Sequence, residues 1–451
     1  MWSYRISLRH VVVLALCFVC FQSSLMAGGY QVSEQSARGL ARAFSGVTTG
    51  LGDGSSVWFN PAAMSREGDV ASFAANVLSI DAEFQNQGST VAGAFPTTGG
   101  SGGNGPESAV VPSAYIVKSF GDKIRIGGSI NAPFGLATEF DSDWVGRYHA
   151  TESELRTIAV NLALSYEFND RVALGVGINY YQMDDAKIAQ HIDFGTIGFS
   201  VLGPAQATAL GLAPQMNDGS VEITGDDKKV SFNVGGLFNF TDHTRLGIGY
   251  RHEVEGSLDG RADFTIPAGY EAVFSQFVDP NGRPLFADSG GFVDITLPTL
   301  VFVGLTHEFG NVSLGLDVQW ADWTVFPELR VVYSETGRVD SVVETEWDEA
   351  TRISLGFDWQ VNEDWVWRAG IADEETPIPA PENRTPRIPD NDRLWLTTGF
   401  TYNHGPWAFD FAYAYIDSDN AGVSLPSSTD FLNGEFELGG DIFTLGLVYN
   451  F

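Results

Sequence analysis

Hydrophobic and polar residues alternate with a period of two along the end of the chain. One face of this stretch is apolar and the other is small or polar: Phe443, Leu445, Leu447, Tyr449 and Phe451 against Thr444, Gly446, Val448 and Asn450. Because successive side chains of a β-strand point to opposite faces, the pattern predicts a strand. Residues 171–181 repeat it. A water-soluble sandwich buries such an apolar face, whereas a membrane barrel turns it toward lipid, and alternation by itself does not separate the two.

About fourteen segments alternate in this way, an even number, as bacterial outer-membrane barrels require. The connections alternate between tight turns such as Gly121-Asp122 and long loops such as 193–220, the asymmetry of short periplasmic turns opposite outer loops. The terminal Phe451 resembles the signal by which such barrels are recognised for insertion. The sequence predicts an all-β, 14-stranded antiparallel transmembrane β-barrel. Its strands lie near residues 69–84, 108–119, 123–140, 152–168, 171–192, 221–240, 244–264, 292–308, 311–333, 342–361, 364–374, 392–403, 406–417 and 435–451.

The stretch from Gly28 to Met64 precedes this pattern and shows no sustained alternation. It is rich in Gly, Ala and Ser and ends near Asn60-Pro61-Ala62. A compact segment in front of a barrel is a candidate plug. We place the predicted hatch at residues 28–68 and the barrel at 69–451.

Residues 1–27 have the order of a secretory signal peptide, with Arg5 and Arg9 before an apolar run and a small residue at Ala27. The apolar run is about half the roughly 20 residues that a membrane-spanning helix needs. Both cysteines of the chain lie inside this segment. A mature chain that starts near Gly28 therefore contains no cysteine.

The strongly acidic composition limits the partners that this chain can bind. Without Arg5 and Arg9, 23 of the 25 basic residues remain against 57 acidic ones, which makes binding to nucleic acid through a basic face implausible. The 51 glycines and 13% aromatic residues do not suit a disordered chain. They suit a β-rich protein with acidic exposed loops.

Candidate chemistry is sparse. The seven histidines show no metal-ligand spacing, and Gly-rich tracts such as 99–105 lack the Lys-Ser/Thr of a phosphate loop. Asp226-Asp227, or Asp417 with Asp419, could bind a divalent cation, but solvated loop acids are the simpler interpretation. We expect no enzyme activity, no metal and no cofactor.

Several segments resemble the FadL-type outer-membrane transporters of long-chain fatty acids and other hydrophobic compounds. Their order and spacing are specific, and they are spread along nearly the whole mature chain. In chain order they are GLARAFSG from Gly39 to Gly46, Asn60-Pro61-Ala62, PFGLATEF from Pro133 to Phe140, WVGRY from Trp144 to Tyr148, Tyr250-Arg251, and the run from Arg368 to Trp395 that contains PIPAPENRTPRIPDNDRLW.

The resemblance implies a monomeric barrel in which a hydrophobic molecule is captured among the outer loops, passes to an interior pocket and leaves sideways at a kink in the third strand. Pro133 cannot donate to the strand ladder and Gly135 weakens it, which agrees with a wall defect, although a harmless bulge would show the same residues. The implied hatch and gate residues are Gly39, Phe44, Gly46, Asn60, Pro61 and Ala62, and those of the lateral opening are Asn131, Pro133, Phe134 and Gly135.

Two predicted outer loops, 193–220 and 265–291, are unusually apolar. An external hydrophobic capture surface is one explanation. Packing of the two loops on each other to cap the barrel is another, and both can hold. The candidate groove residues are Phe199, Leu202, Leu210, Leu212, Phe274 and Phe277.

One departure from the family pattern bears on the substrate. Fatty-acid-binding members carry a basic residue after an Ala-Lys-Ile segment of strand five, and this chain has Gln190 there. At a second position where those members carry a basic residue, this chain has the acidic Asp348. A carboxylate in an apolar pocket needs a cation or several donors. The candidates for binding a head group are then Lys187, Gln190 and His191.

The sequence thus predicts facilitated diffusion of hydrophobic molecules across the outer membrane of a Gram-negative bacterium. Long-chain fatty acids are the favoured substrate, with aromatic or aliphatic hydrocarbons as the alternative. A general diffusion porin has no reason for a hatch of some forty residues. The expected partners are the hydrophobic substrate, outer-membrane lipid and lipopolysaccharide, and the barrel-assembly machinery during biogenesis.

Overall fold

The computed structural model describes residues 28–93, 95–335 and 337–451. The predicted signal peptide, residues 1–27, lies outside the described residues. Among the residues described, every helix is too short or too polar to span a bilayer.

Fourteen antiparallel strands form a closed wall, which confirms the predicted fold class and strand count. Each strand pairs with its neighbours in the chain, and the last pairs with the first from Val70↔Asn450 to Asn86↔Gly434. The wall strands are β1 (Val70–Asn86), β2 (Ala109–Phe120), β3 (Ile124–Asn131 and Gly135–Glu139), β4 (Glu152–Asn169), β5 (Val172–Asp193), β6 (Asp218–Asn239), β7 (Thr244–Arg251 and Val254–Thr265), β8 (Ser289–Leu297 and Leu300–Phe309), β9 (Val312–Ala321 and Glu328–Tyr333), β10 (Ser341–Glu344 and Ala350–Gln360), β11 (Trp365–Glu374), β12 (Arg393–His404), β13 (Trp407–Ser418 and Ala421–Pro426) and β14 (Asp430–Asn450).

The apolar face of the wall points outward, as in a membrane barrel and unlike a soluble sandwich. Leu445 on β14 is 67% exposed, whereas its neighbour Thr444 is fully buried. On β5 the side chain of Ile178 is exposed and that of Asn179 is buried. The outer face therefore fits lipid and the inner face is filled by protein.

The hatch fills the interior at the end of the barrel that carries the tight turns. It contains two short helices, α1 (Ala37–Leu40) and α2 (Ser56–Phe59), and the 3₁₀ turns Val47–Thr49 and Pro61–Arg66. Ser36 caps α1 by accepting a hydrogen bond from the Gly39 amide at 2.9 Å. Asn60 caps the turn Pro61–Arg66 in the same way, by accepting from the Ala62 amide. These two short polar side chains satisfy amides that would otherwise be buried without a partner.

The long connection between β5 and β6, which the sequence predicts as an outer loop, is partly helical. It contains α3 (Phe194–Leu202) and α4 (Pro204–Ala209). Asp193 caps α3 by accepting from the Thr196 amide at 2.8 Å. Gly203, with φ of 83°, ends α3, and Pro204 begins α4 because proline suits a first helical position. The loop between β7 and β8 contains a single turn of helix, α5 (Glu271–Phe274).

Candidate functional site: a hatch, a lateral gap and an interior cavity

Ion pairs and hydrogen bonds hold the hatch to the inner wall. Arg38 pairs with Asp410 of β13 at 3.0 Å, and Arg42 pairs with Asp358 of β10 at 2.9 Å. Arg251 of β7 donates to the Trp58 carbonyl at 2.7 Å, and its guanidinium lies 3.3 Å from the Trp58 ring centroid. Charged partners that are shielded from water favour a single position of the hatch.

The Asn60-Pro61-Ala62 motif forms a corner between the hatch and β6. The Asn60 side chain donates to the Thr48 carbonyl at 2.7 Å and to the Gly236 carbonyl at 3.1 Å, and it accepts from the Ala62 amide. All six residues predicted for the hatch gate are buried where hatch and wall meet: Gly39, Phe44, Gly46, Asn60, Pro61 and Ala62. Their role in gating stays a prediction.

The predicted kink is an interruption of β3 at residues 132–134. The ladder between β2 and β3 runs from Phe120↔Ile124 to Ala114↔Ile130 and stops there. Beyond it, the segment before β2 bridges β3 again near the outer end, at Pro106↔Thr138. The structure thus brings Asn131, Pro133, Phe134 and Gly135 together at a gap in the wall between β2 and β3.

An extended part of the hatch fills this gap as a short extra strand. The Val32 amide donates to the Pro133 carbonyl at 2.8 Å, and the Gly135 amide donates to the Tyr30 carbonyl at 2.9 Å. Gln31 and Phe134 form the antiparallel bridge between these bonds. The backbone groups that the kink leaves without a wall partner are therefore satisfied by the hatch.

Gln35 connects the two edges of the gap. Its side chain donates to the Ala132 carbonyl at 2.9 Å and accepts from Asn131 at 2.9 Å, both on the β3 side. Its own carbonyl accepts from Ser113 at 3.0 Å and Tyr115 at 2.6 Å, both on β2. The sequence pattern contained no signal for this residue.

A largely apolar cavity, partly open to solvent, lies on the outer side of the hatch. Tyr30 of the hatch forms part of its wall. The barrel contributes apolar side chains and the connection between β11 and β12 contributes the cover: Leu136, Leu155, Ile188, Ile223, Leu258, Val293, Ile295, Phe326, Leu329, Trp347 and Ile388. A cavity of this kind suits a hydrophobic molecule.

One buried cation lines the cavity. Arg387, 5% exposed, donates to the Glu152, Ala189 and His149 carbonyls and to the Ser153 and Gln190 side chains, at 2.7–3.4 Å. All of these acceptors are neutral, and no carboxylate of the described residues pairs with it. Burial lowers the pKa of Arg387 to about 10, so it stays cationic at neutral pH.

The three predicted head-group residues have other partners. Lys187 lines the cavity but is neutralised by Glu152 at 2.9 Å and Glu222 at 3.0 Å. Gln190 accepts from Arg387 at 2.8 Å. His191 lies 3.9 Å from a carboxylate oxygen of Asp218, and it does not line the cavity. Arg387 is not among the residues predicted from the sequence, although it lies inside the run PIPAPENRTPRIPDNDRLW.

The two apolar outer loops pack against each other. Phe194, Ala207, Leu212 and Phe274 form a buried core there, so Leu212 and Phe274 are covered and cannot contact a ligand unless the loops move. Phe199, Leu202 and Phe277 pack on this core partly buried, and Leu210 is exposed. In this structure the two loops therefore pack on each other and cap the barrel. Capture of a substrate by a groove between them remains a prediction.

The hatch contains a buried carboxyl whose ionisation opposes the closed position. Glu67 accepts from Ser56 at 2.6 Å and from the Gly54 amide at 3.1 Å. Burial, followed by the nearby charge of Asp53, raises the pKa of Glu67 to about 7. An acid with a raised pKa stabilises the closed hatch fully below its ordinary pKa near 4.5, and that stability is lost as the pH rises through about 7.

We expect hydrogen exchange in residues 53–67, corrected for intrinsic rates, to be faster at pH 8.5 than at pH 5.5, because ionised Glu67 weakens the closed hatch. Glu67→Gln should remove the difference. Equal corrected rates at both pH values in the unmodified protein would contradict this role of Glu67.

A closed wall of fourteen strands, an internal hatch and an apolar cavity define a class of outer-membrane transport proteins for hydrophobic compounds. The chain belongs to the outer membrane protein transport protein family (OMPP1/FadL/TodX), whose model matches residues 18–451. The family consists of transport proteins, not enzymes, and it places the chain in the outer membrane of a Gram-negative bacterium.

Known relatives agree with this membership, and solved structures share the fold. A long-chain fatty acid transport protein of Escherichia coli is 28% identical over 399 residues, covering 86% of each chain, and outer membrane protein P1 of Haemophilus influenzae is 25% identical, covering 90% of this chain and 89% of that one. A Pseudomonas aeruginosa FadL homologue superposes with a TM-score of 0.85 at 22% identity, over 94% of this chain and all of the other. The Pseudomonas putida toluene transporter TodX gives 0.68 at 17% identity over the same shares.

Proposed function

We propose that the protein carries long-chain fatty acids across the outer membrane by facilitated diffusion. The observation that carries this proposal is Arg387, a buried guanidinium without a carboxylate partner among the described residues, in the wall of an apolar cavity. A fatty acid supplies both a carboxylate for the cation and an alkyl chain for the cavity. The fatty-acid transport relatives support the same substrate class.

The cavity and the lateral gap share one residue of the hatch. Tyr30 lines the cavity through its side chain, and its carbonyl accepts the Gly135 amide at the kink. A ligand that displaces Tyr30 would weaken the bridge at the gap. We infer that the substrate enters from the groove of the outer loops, occupies the cavity and leaves sideways between β2 and β3 once residues 30–35 move.

Transport of neutral hydrocarbons is the second candidate, because Arg387 already has five neutral acceptors and most of the cavity wall is apolar. A toluene transporter shares the fold. The two candidates differ in their need for a cation, since only an ionised head group requires one.

Removal of the cation should separate the candidates. We expect Arg387→Gln to weaken oleate binding to the purified protein at least tenfold, because a charged hydrogen bond contributes roughly 1.5–3 kcal/mol. Binding of toluene should not change. Lys187→Gln is the matched control on the same cavity wall, and because Lys187 is already paired with two carboxylates we expect a smaller loss. Oleate binding that is unaffected by Arg387→Gln would contradict a carboxylate site at this residue.

The other expected partners follow from the outer-membrane location. We propose that the barrel works as a monomer among outer-membrane lipid and lipopolysaccharide after insertion by the barrel-assembly machinery.

A further inference from the structure

The first residues of the hatch lie inside the barrel against two acidic side chains. A Cβ built on Gly28 would lie 3.1 Å from Glu374 Oε1. The Gly29 amide donates to Asp390 Oδ2 at 2.9 Å. Glu374 ends β11, and Asp390 precedes β12, so neighbouring wall strands supply both carboxylates.

These carboxylates belong to a buried cluster with an excess of negative charge. Arg393 lies 3.6 Å from Glu374 and also pairs with Asp390, and Arg352 lies 3.7 Å from Glu374. With all groups ionised, three carboxylates face two guanidiniums, and Arg384 and Asp392 at the edge of the cluster add one charge of each sign. Each member is more than nine-tenths buried: Glu34, Glu374, Asp390, Arg352 and Arg393.

Glu34 is the carboxyl group of this cluster that has no partner. Both of its carboxylate oxygens are buried, and no group among the described residues forms a hydrogen bond with them. Burial is the largest cause that raises the pKa of Glu34 to about 7, with the charge of Glu374 acting in the same direction. Burial also raises the pKa of Asp390. An uncompensated carboxylate in such a site is unfavourable, so the cluster has room for one more cation.

We propose that this cation is the α-ammonium group of Gly28, formed when residues 1–27 are removed, and that Glu374 and Asp390 bind it. In the uncleaved chain the Gly28 nitrogen is a neutral amide. Hydrolysis by water of the bond between Ala27 and Gly28 leaves a carboxylate on Ala27 and an amine on Gly28, which takes up a proton. Three carboxylates then face three cations, and the cluster is neutral.

This ion pair acts on the lateral gap, because the same segment continues directly into the residues that fill it. Two residues after Gly28, the Tyr30 carbonyl accepts the Gly135 amide, and Val32 then donates to Pro133. The bound ammonium is therefore a latch for residues 28–35. It forms only in the processed protein and does not depend on which hydrophobic molecule is transported.

The pKa of the α-amine tests the latch. It can be measured on the purified mature protein from the pH dependence of labelling by acetic anhydride, with mass spectrometry of the N-terminal peptide. Burial alone disfavours an ammonium and lowers the pKa, whereas two neighbouring carboxylates raise it. We expect a pKa above the ordinary range of about 7.7–8.0, and labelling at pH 7.5 at least tenfold slower than for an exposed amine.

Variants of the cluster and of the N-terminus complete the experiment. Glu374→Gln should return the amine to the ordinary range, and Glu375→Gln, the exposed neighbouring residue, should leave it unchanged. A mature chain that retains Ala27 moves the amine by about 3.8 Å without changing any side chain of the cluster. It should label at the rate of an ordinary amine and show faster hydrogen exchange in residues 30–35.

An α-amine pKa at or below the ordinary range in the unmodified protein would overturn the proposal, as would an intact mass that places the mature N-terminus elsewhere than Gly28. The same holds if neither Glu374→Gln nor Asp390→Asn changes the labelling. None of these measurements depends on transport. The proposed ion pair could therefore hold even if the protein does not transport fatty acids.

Discussion

A disulfide between hatch and wall should stop transport. In the variant Gln31→Cys with Phe134→Cys, we expect uptake of a hydrophobic substrate to fall at least tenfold on oxidation and to recover with a reductant. The two residues form an antiparallel bridge. The bonds from Val32 to Pro133 and from Gly135 to Tyr30 make it the non-hydrogen-bonded type, with Cα atoms roughly 4.5 Å apart, within the range of a disulfide.

The physical reason is that a covalent link prevents residues 30–35 from leaving the gap between β2 and β3. Both native cysteines precede Gly28, so the two new thiols would be the only ones in a chain that starts there. The reduced double variant and the two single-cysteine variants are the controls, because they carry the same substitutions without the link. Equal uptake in the oxidised and reduced states, with the disulfide verified by mass, would reject exit through this gap.

A single methyl group on the inner wall should displace the hatch. A Cβ at Gly235 of β6 would lie 1.9 Å from Asn60 Oδ1, so Gly235→Ala forces the Asn60 corner to move. Overpacking of a well-packed site costs about 1–3 kcal/mol. This corresponds to a roughly 5- to 150-fold rise in the population with a displaced hatch. We expect a matching rise in ion conductance in planar bilayers.

The neighbouring residue supplies the control. A Cβ at Gly236 would meet the Phe238 ring at 3.1 Å and the Leu174 side chain at 3.7 Å, side chains that lie away from the hatch. Gly236→Ala should therefore keep the low conductance of the unmodified protein. Large, steady, ohmic pores in the unmodified protein would contradict a closing hatch, and unchanged conductance in Gly235→Ala would contradict the role of the Asn60 corner.

The architecture of the wall could be predicted from the sequence because every strand residue faces either lipid or the packed interior. Between Val172 and Tyr180 the polarity of each residue indicates which face it occupies. This alternation was enough to predict the number of strands and the tight turns between them. The absence of this alternation before Met64 indicated the hatch. Pro133 and Gly135 indicated the kink, since both residues weaken a ladder wherever they occur.

Only the tertiary structure decided which residues form the site. Arg387 lies near Gln190 although nearly two hundred residues separate them in the chain, and Gln35 contacts β2 and β3 from the hatch. Glu374 and Asp390 meet Gly28 only because the barrel closes around it. Such contacts depend on long-range pairing and on which buried charges find partners, and the local pattern of hydrophobic and polar residues contains neither kind of information.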